Sequence, residues 1–290
     1  MGFVIAAEKR TQTDQQLAAA LSRYCVDAAI VSSADVPARV RAGDTVLGRI
    51  ALLPSLDGVQ GCVWDLRQLE RLSVRILNPA SALLATHDKL MTALRLARSG
   101  IHHPKTAHVD HDDAALPELT LPVVVKPRFG SRGHDVVRCD DRLSLQQGLQ
   151  KLRGKRWFRR QGALVQELVG AGNGSDTRLL VCRGELVGGI ERRAASGWRA
   201  DDPSGRISVA TPTAAERRLA VRAAEAFGAD LVVVELLATD DGPVVLELDV
   251  AAEFDETYAF DGQDVFDEVA RRLVDSSPLA HADALRVVGA

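Results

Sequence analysis

The sequence is poor in the residues on which small disulfide-rich domains and zinc-binding modules depend. It has 4 cysteines in 290 residues, and no two of them form a Cys-x-x-Cys pair. Their positions, Cys25, Cys62, Cys139 and Cys182, are far apart in the chain. This spacing argues against a zinc site and against a disulfide framework. We therefore expect reduced thiols and a cytoplasmic protein.

Long apolar runs and an excess of one charge are also missing. No stretch approaches the roughly 20 uninterrupted apolar residues that a membrane-spanning helix needs, and the apolar run near Met1 is too short for a signal peptide. The 36 Lys plus Arg nearly balance the 39 Asp plus Glu, which leaves a formal net charge of -3. A chain so close to neutral carries no global electrostatic signature for nucleic acid. We expect neither a membrane nor a nucleic-acid partner.

What is present is the composition of an ordinary globular protein, with 46% hydrophobic and 26% charged residues. The length suffices for two or three structural units with their own cores. In the first third, predicted strands at Phe3–Ala6, Ala28–Val31 and Val46–Leu53 alternate with a predicted helix at Asp14–Tyr24. This alternation predicts a small α/β unit with a parallel sheet.

The rest of the chain mixes helical and strand patterns. A helix through Leu90, Leu94 and Ala97 ends at Gly100, and residues 102–118 are predicted to be mostly loop with one short strand. Thr213 and Glu216 form a capping box, which predicts a helix that runs to Phe227 and stops at Gly228. The remaining predictions are strands at Val123–Lys126, Val136–Val137, Ala163–Val169, Leu231–Leu237 and Val244–Val250, a helix at Leu143–Leu152, and a hairpin over Thr177–Ile190.

The last two predicted strands carry three acidic residues within apolar runs. Side chains alternate faces along a strand, so Glu247 and Asp249 share one face while Leu246 and Leu248 pack on the other. If this strand pairs with its neighbour, Glu235 joins them. Unpaired buried carboxylates are costly, and oxygen ligands suit a hard cation such as Mg²⁺. The alternatives are an outward-facing strand surface and carboxylates that pair with arginines.

A second feature is Lys126, which ends a hydrophobic strand just before a glycine-rich loop. A lysine there can meet an anion as a point charge, and the backbone N–H groups of Gly130, Ser131 and Gly133 can cradle phosphate oxygens. The loop lacks the Gly-Lys-Ser/Thr ending of a Walker A motif. The alternative is an ordinary hairpin whose lysine reaches out to solvent.

Three other patterns are weighed and set aside. The loop Gly170–Gly174 looks like a dinucleotide motif, but Ser175 breaks the spacing and a strand follows instead of a helix. The basic run Lys151–Arg160 fits a solvated turn or a patch for an acidic substrate better than a nucleic-acid site. The irregularly spaced His and Asp residues in 102–113 fit a solvated loop better than a metal cluster.

Seven short motifs follow one another in order over about residues 45 to 250. They are Asn78-Pro79, Asp88-Lys89-Leu90, the run Val125–Gly133, Val165-Gln166-Glu167-Leu168-Val169, Asp176-Thr177-Arg178, Arg192-Arg193-Ala194 and Glu247-Leu248-Asp249. Taken together, these motifs resemble the ATP-grasp superfamily, and in particular the RimK-like amino-acid ligases. The resemblance implies an α/β (α+β) ATP-grasp fold with a pre-ATP-grasp domain over 1–85, a central lid domain over 86–162, a catalytic domain over 163–275 and a tail over 276–290.

The resemblance also implies a role for each site residue. Arg178 and Arg193 would face the acyl phosphate and the carboxylate substrate. The metal ligands for Mg²⁺, with Mn²⁺ as an alternative, would be Glu235, Glu247 and Asp249. The ATP-binding residues would be Lys89 and Lys126 at the phosphates, Gly130, Ser131, Arg132 and Gly133 in a closing lid, Gln166, Glu167, Leu168 and Val169 at the adenine hinge, and Asp176 at the ribose.

The implied activity is an ATP-dependent ligase that joins a carboxylate to an amine through an acyl phosphate and releases ADP and phosphate. The added group would be an amino acid such as glutamate, and the partner a small molecule, a peptide or a carrier protein. Association into a homo-oligomer is also expected. The alternatives are a small-molecule kinase on the same fold and a regulatory protein that binds ATP without turnover. The presence of Arg178 and Arg193 favours the ligase.

The sequence departs from the family pattern next to the metal ligands. Asp249 replaces the usual Asn, Glu235 replaces the usual Asp, and the tail Val250-Ala251-Ala252-Glu253-Phe254-Asp255 differs from the small residues, Pro and Gly that usually follow. These changes leave the substrate open. An acidic stretch lies just beyond, and we hypothesise that it attracts a cationic or amine-bearing acceptor. It comprises Glu253, Asp255, Glu256, Asp261 and Asp264.

Overall fold

The computed structural model of the chain describes most of its residues, and in these it contains three β-sheets with helices between them. The predicted strand residues 51–53 and the predicted tail 276–290 lie outside this part. The described ranges are 2–50, 66–111, 113, 116–130, 133–170, 174–195, 197–199 and 204–275.

The first sheet is parallel, as the alternation predicts. Its four strands have the order β2-β1-β3-β4. The helix α1 (Gln12–Ser22) begins at a capping box in which Thr11 accepts from the Asp14 backbone, and it packs Leu17 and Leu21 into the core. A short helix, α2 (Val36–Arg39), follows the second strand. The strands are β1 (Phe3–Ala7), β2 (Ala28–Val31), β3 (Thr45–Arg49) and β4 (Arg75–Leu77).

Two consecutive helices lead out of this sheet. The helix α3 (Ala80–His87) was not predicted, because it is apolar nearly all round and shows no amphipathic stripe. The helix α4 (Lys89–Arg98) was predicted, and Asp88 caps it by accepting from the backbone N–H of Leu90 and Met91. This cap places Lys89 in the first turn of α4.

The central sheet is antiparallel and has the order β5-β8-β6-β7. Two helices cover one face, α5 (Arg142–Arg153) and the unpredicted α6 (Arg156–Gln161), and bury Leu145, Leu149 and Phe158 against the strands. The basic run therefore lies on these helices. The strands are β5 (Thr106–Val109), β6 (Val123–Pro127), β7 (Val137–Cys139) and β8 (Ala163–Glu167).

The third sheet is antiparallel and has the order β11-β10-β9-β12-β13. The helix α7 (Ala214–Phe227) begins and ends where the capping box and Gly228 predict, and it covers one face. The first sheet, α1 and α8 (Val265–Val274) bury residues against the other face. The strands are β9 (Ser175–Cys182), β10 (Glu185–Arg193), β11 (Arg206–Val209), β12 (Leu231–Thr239) and β13 (Gly242–Asp249).

The first and third sheets are joined by a buried amide. Asn78 donates to Gly48 O over 3.1 Å and to Leu231 O over 2.8 Å, and it accepts from the backbone N–H of Asp230 over 2.8 Å. The sheet order also bears on the predicted domains. Strand β8 pairs with β5 and β6, so it belongs to the central sheet although it lies beyond residue 162.

Within the described part of the chain, no helix has the length and apolar character needed to cross a membrane.

Candidate active site

A large cleft opens between the central sheet and the third sheet. Its volume is about 1390 Å³, more than a single drug-sized ligand requires. Both sheets contribute charged side chains to its walls, with Lys126 from β6 on one side and Arg178, Glu235 and Glu247 from β9, β12 and β13 on the other. The cleft can therefore hold a nucleotide and a second substrate together.

The charged side chains of the third sheet form one row because of strand register. Arg178 on β9 is the register partner of Glu235 on β12, and Glu235 is in turn the partner of Glu247 on β13. Register partners present their side chains on the same face of a sheet. The pairing of the two acidic strands is thus confirmed, and Asp249 also lines the cleft.

A β-bulge decides which side chains of β13 reach the cleft. The register shifts at Glu235 and Leu236, whose partners are Glu247 and Val245, so Leu246 has no partner. Val245 and Leu248 consequently enter the core, while Leu246 lines the cleft beside Glu247. The expectation that Leu246 packs with Leu248 on the opposite face is wrong.

Each acidic side chain of the row already has a counter-charge or donor. Lys89 Nζ lies 2.7 Å from Glu247 Oε1, Arg178 contacts Glu235, and Asp249 accepts from the backbone N–H of Ala251 over 2.9 Å. Burial favours the neutral acid, but the charges of Lys89 and Lys126 outweigh it and lower the pKa of Glu247. The arginine pairing that the sequence left open as an alternative is present. In the described residues, no three His, Cys, Asp or Glu side chains group closely enough to hold a metal by themselves.

Lys126 is the buried cation of the opposite wall. Only 8% of the residue is exposed, and its Nζ donates to Gln166 Oε1 over 2.8 Å. Burial, with the charge of Lys89, lowers the pKa of Lys126 to about 8, while the Glu247 carboxylate acts in the opposite direction. A charge that is costly to bury and has a neutral amide as its partner is ready to receive an anion.

Lys89 connects the two walls and the glycine loop. Besides its bond to Glu247, its Nζ donates to Gly130 O over 2.8 Å. Arg128, at the start of the loop, donates from Nε to Asp88 Oδ1 over 2.7 Å. The residue that caps α4 therefore also fixes the base of the loop.

The glycine loop is approached from the other side by Arg199. Gly133 has a φ of +59°, and a Cβ there would lie 1.6 Å from Arg199 Nη2. Arg199 Nη1 donates to Gly133 O over 3.2 Å, and Trp198 lines the cleft beside it. Sequence reasoning missed both residues. Ser131 and Arg132, predicted in the lid, lie outside the described residues.

The arginine predicted from the Arg192-Arg193 pair is displaced by one position. Arg193 is 66% exposed and pairs with Glu191 over 3.1 Å, whereas Arg192 lines the cleft. Arg192 Nε donates to Asp176 Oδ1 over 2.8 Å, and its Nη2 lies 3.7 Å from Glu235 Oε2. Because side chains alternate along β10, only one of the two arginines faces the cleft. Contrary to the prediction, Arg193 therefore does not face the cleft, and Arg192 is the arginine of this pair that does.

The predicted adenine hinge lies along the cleft beside apolar side chains. The backbone N–H groups of Glu167 and Leu168 already donate to Lys105 O and Pro122 O, both over 2.9 Å. Glu167 Oε1 accepts from the backbone N–H of Thr120 over 2.8 Å, which fixes the strand end. The apolar residues that line the cleft include Val124, Val169, Leu237 and Leu246.

Most of the predicted site residues are thus brought together. Arg193 is not, and the dinucleotide-like segment leads into strand β9 as expected. The predicted residues that line the cleft are Lys89, Lys126, Gly130, Gly133, Gln166, Glu167, Leu168, Val169, Asp176, Arg178, Glu235, Glu247 and Asp249.

A cleft between two antiparallel sheets, with lysines and a glycine loop facing carboxylates and arginines, is typical of a nucleotide-dependent ligase or kinase. Comparison with known proteins narrows this class. The model of the RimK-like ATP-grasp domain matches residues 86–273. The chain belongs to the RimK-like ATP-grasp family, and it is an ATP-dependent ligase that forms amide bonds.

Named relatives agree with this family. The chain is 33% identical over 228 residues to the "Probable alpha-L-glutamate ligase" of Citrobacter koseri, covering 77% of this chain and 73% of that protein. It is 32% identical over 234 residues to the "Ribosomal protein bS6--L-glutamate ligase" of Escherichia coli, covering 79% and 75%. The RimK domain ATP-grasp protein of Sphaerobacter thermophilus has the same fold, with a TM-score of 0.70, 22% identity, and coverage of 93% and 98%.

Proposed function

We propose that this enzyme activates a carboxylate as an acyl phosphate with ATP and then joins it to an amine, with glutamate as the amino acid. The observation that carries the proposal is the row Arg178, Glu235 and Glu247, which faces Lys126 across the cleft. Negative charge develops on a transferring phosphoryl group, and positioned cations stabilise it. The names of the relatives support glutamate as the amino acid.

The nucleotide lies along the central sheet in this proposal. Lys126 and Lys89 bind the phosphates, and the backbone of the glycine loop from Gly130 covers them. Since the N–H groups of Glu167 and Leu168 are already engaged, the N–H of Val169 serves the adenine base. Asp176 receives the ribose, because Arg192 occupies only part of the acceptor capacity of its carboxylate.

The carboxylates of the row fit Mg²⁺ when phosphate oxygens complete the coordination. Magnesium is commonly held by one or two carboxylates together with substrate phosphates, and less often by a cage made of protein alone. The ligands would be Glu235, Glu247 and Asp249, which line the cleft together. Bound there, Mg²⁺ would supply positive charge against the phosphoryl group.

The residues of this chain orient the two substrates and keep water out. Arg178 and Arg192 bind the carboxylate and hold it in line with the phosphoryl group, since planar guanidinium groups match carboxylates in two-point contacts. Arg199 donates to Gly133 O and so holds this end of the glycine loop beside the cleft. Exclusion of water protects an acyl phosphate from hydrolysis.

The acceptor amine approaches past Glu253 in this proposal. Of the acidic stretch beyond β13, Glu253 lines the cleft, whereas Asp255 caps the turn at Thr257 and Asp264 caps α8. Arg49 Nη2 donates to Ala252 O over 3.1 Å and lies 3.7 Å from Glu253 Oε1. Glu253 is therefore the member of the stretch that can meet a cationic acceptor.

A screen of ADP release tests the proposal directly. The purified enzyme is given Mg-ATP with glutamate and a panel of peptides, small carboxylates and amines, and products are read by mass spectrometry. An amide product that contains glutamate supports the ligase. A phosphate ester supports a kinase, and ATP binding without any ADP release supports a binding protein. The Glu247→Gln variant serves as the inactive control.

A further inference from the structure

A chain of hydrogen bonds leads from Lys126 across three strands of the central sheet. Lys126 Nζ on β6 donates to Gln166 Oε1 on β8 over 2.8 Å. Gln166 Nε2 then donates to Thr106 Oγ1 on β5, also over 2.8 Å. The Thr106 hydroxyl donates to Pro104 O over 2.9 Å, where the chain ends. Thr106 and Gln166 are register partners, so strand pairing itself holds the two side chains together.

The acceptor at the end dictates the direction of every bond in this chain. A carbonyl oxygen only accepts, so the single hydroxyl proton of Thr106 is committed to Pro104 O, and Thr106 Oγ1 is left to accept from Gln166. The Gln166 amide must therefore turn its NH₂ group toward Thr106 and its oxygen toward Lys126. With the amide reversed, its NH₂ group would face the Lys126 ammonium, and buried donors would lack acceptors.

We propose that Thr106 is a positioning residue for phosphate binding, which acts through the Gln166 amide to hold Lys126 Nζ at one place on the cleft wall. The inference rests on the proposed function, in which Lys126 meets the phosphates of ATP. Thr106 itself is not among the described residues that line the cleft, whereas its hydrogen-bond partners Gln166 and Pro104 are, so an effect of Thr106 on the nucleotide must pass through these partners. A preorganised ammonium loses less freedom when the phosphate arrives.

Other charged groups around Lys126 act on it differently. Lys89 from α4 and Glu247 from β13 influence Lys126 through their charges. His103, which precedes β5, borders the same small cavity as Lys126 and Gln166. The Gln166 amide is the side chain that makes a hydrogen bond to Lys126 Nζ, which makes its orientation the feature under the control of Thr106.

The test compares Thr106→Val with Thr106→Ser. Valine keeps the shape and suits a strand, so the protein should fold, but it removes the hydroxyl. We expect the Kd for Mg-ATP, measured by calorimetry, to rise about fivefold in Thr106→Val, the loss of roughly one hydrogen bond. Thr106→Ser should restore it to within about twofold. As a matched control, Thr86→Val removes a buried hydroxyl that bonds Ala82 O within α3 and should leave the Kd unchanged. A folded Thr106→Val protein with wild-type affinity would overturn the proposal.

A second readout needs no nucleotide and separates this inference from the proposed function. The chain has six lysines (Lys9, Lys89, Lys105, Lys126, Lys151 and Lys155), so trace acetylation with acetic anhydride followed by peptide mass spectrometry compares Lys126 with five internal references. We expect Lys126 alone to react faster in Thr106→Val and to return to its original rate in Thr106→Ser. A wild-type protein that fails to bind Mg-ATP would end the proposed function. Unchanged acetylation of Lys126 in Thr106→Val would end this inference by itself.

Discussion

The two walls of the cleft hold their charges in opposite ways. On the central sheet, Lys126 is buried and its hydrogen-bond partner is the neutral amide of Gln166. On the third sheet, the charges are set in pairs, with Arg178 against Glu235 and Arg192 against Asp176. The buried cation of one wall thus has a neutral hydrogen-bond partner, whereas two carboxylates of the other wall are paired with arginines of the same sheet.

From this difference we infer that the two walls have different functions. A buried cation whose hydrogen-bond partner is neutral gains a close counter-charge when an anion binds, so the central wall should set nucleotide affinity. The two members of an ion pair must separate before either can bind a ligand. Removing one member leaves the other buried without a counter-charge, which is costly. The third sheet should accordingly govern turnover.

The largest effect is expected from Glu247→Gln, which removes a charge from the third sheet while keeping the shape of the side chain. We expect kcat to fall about 10²–10³-fold, the scale of losing one group that stabilises a phosphoryl transition state, and the protein to remain folded. Turnover is measured by ADP release and folding by thermal melting. Glu191→Gln, an exposed carboxylate on β10 that pairs with Arg193, is the control and should retain activity. Full activity of Glu247→Gln would contradict the metal assignment.

The next effect distinguishes Arg192 from Arg193. We expect Arg192→Gln to lower kcat/KM for the carboxylate about 10- to 100-fold, the equivalent of one charge-assisted hydrogen bond of roughly 1.5–3 kcal/mol. Arg193→Gln, whose side chain is 66% exposed, should stay within about twofold of the wild type. Steady-state kinetics at saturating ATP provide the measurement. Equal losses in both variants would show that β10 presents both arginines to the substrate.

The pair of arginines also shows where sequence reasoning reaches its limit. The alternation of strands, the capping box at Thr213 and the pairing of the acidic strands follow from patterns that span only a few residues, and each was predicted correctly. The phase of alternation in β10 is different, because the register shifts between Leu186 and Gly188 and resets which residues face the cleft. A similar bulge turns Leu246 into the cleft. Bulges depend on partner strands, so the local pattern does not reveal them.

Sequence reasoning also missed residues that lie outside the predicted helices and strands. Trp198 and Arg199 lie in a segment without periodicity, and only the fold brings Arg199 to Gly133. Thr106 lies in a segment predicted to be mostly loop, and its role depends on a cross-strand partner 60 residues away. Sequence motifs therefore located most of the residues that line the cleft, while the contacts of Trp198, Arg199 and Thr106 required the three-dimensional pairing.

A smaller effect concerns the pH dependence of nucleotide affinity, which we expect the central wall to set. With a pKa of about 8, Lys126 in the free enzyme is mostly charged at pH 7 and mostly neutral at pH 9.5, whereas an ordinary lysine loses its proton near about 10.4. The Kd for Mg-ATP should therefore rise about three- to tenfold between these pH values. Lys126→Arg keeps its charge and should flatten the dependence. Calorimetry in buffers of different ionisation enthalpy should also show proton uptake by the wild type near pH 8.

The same pKa has a defined consequence for stability. Because the folded protein binds this proton less tightly than the unfolded chain does, Lys126 opposes folding at a pH below about 8. That cost declines as the pH rises from about 8 toward about 10.4.

For nucleotide binding, the contradicting result would be a wild-type Kd for Mg-ATP that changes as little with pH as the Kd of Lys126→Arg. The affinity for the nucleotide would then not depend on the central wall.

The smallest effect is expected at Glu253, beyond the last strand of the third sheet, where we propose that the acceptor enters. We expect Glu253→Gln to raise KM for an amine acceptor about two- to fivefold, in line with a partly exposed ion pair, and to leave the Kd for Mg-ATP unchanged. Asp255→Asn is the matched control, since Asp255 bonds the backbone N–H of Thr257 over 2.9 Å and caps a turn. It should lower thermal stability slightly without changing KM. If Asp255→Asn instead raised KM as much as Glu253→Gln, the acceptor would be recognised by the whole acidic stretch, including residues that lie outside the cleft.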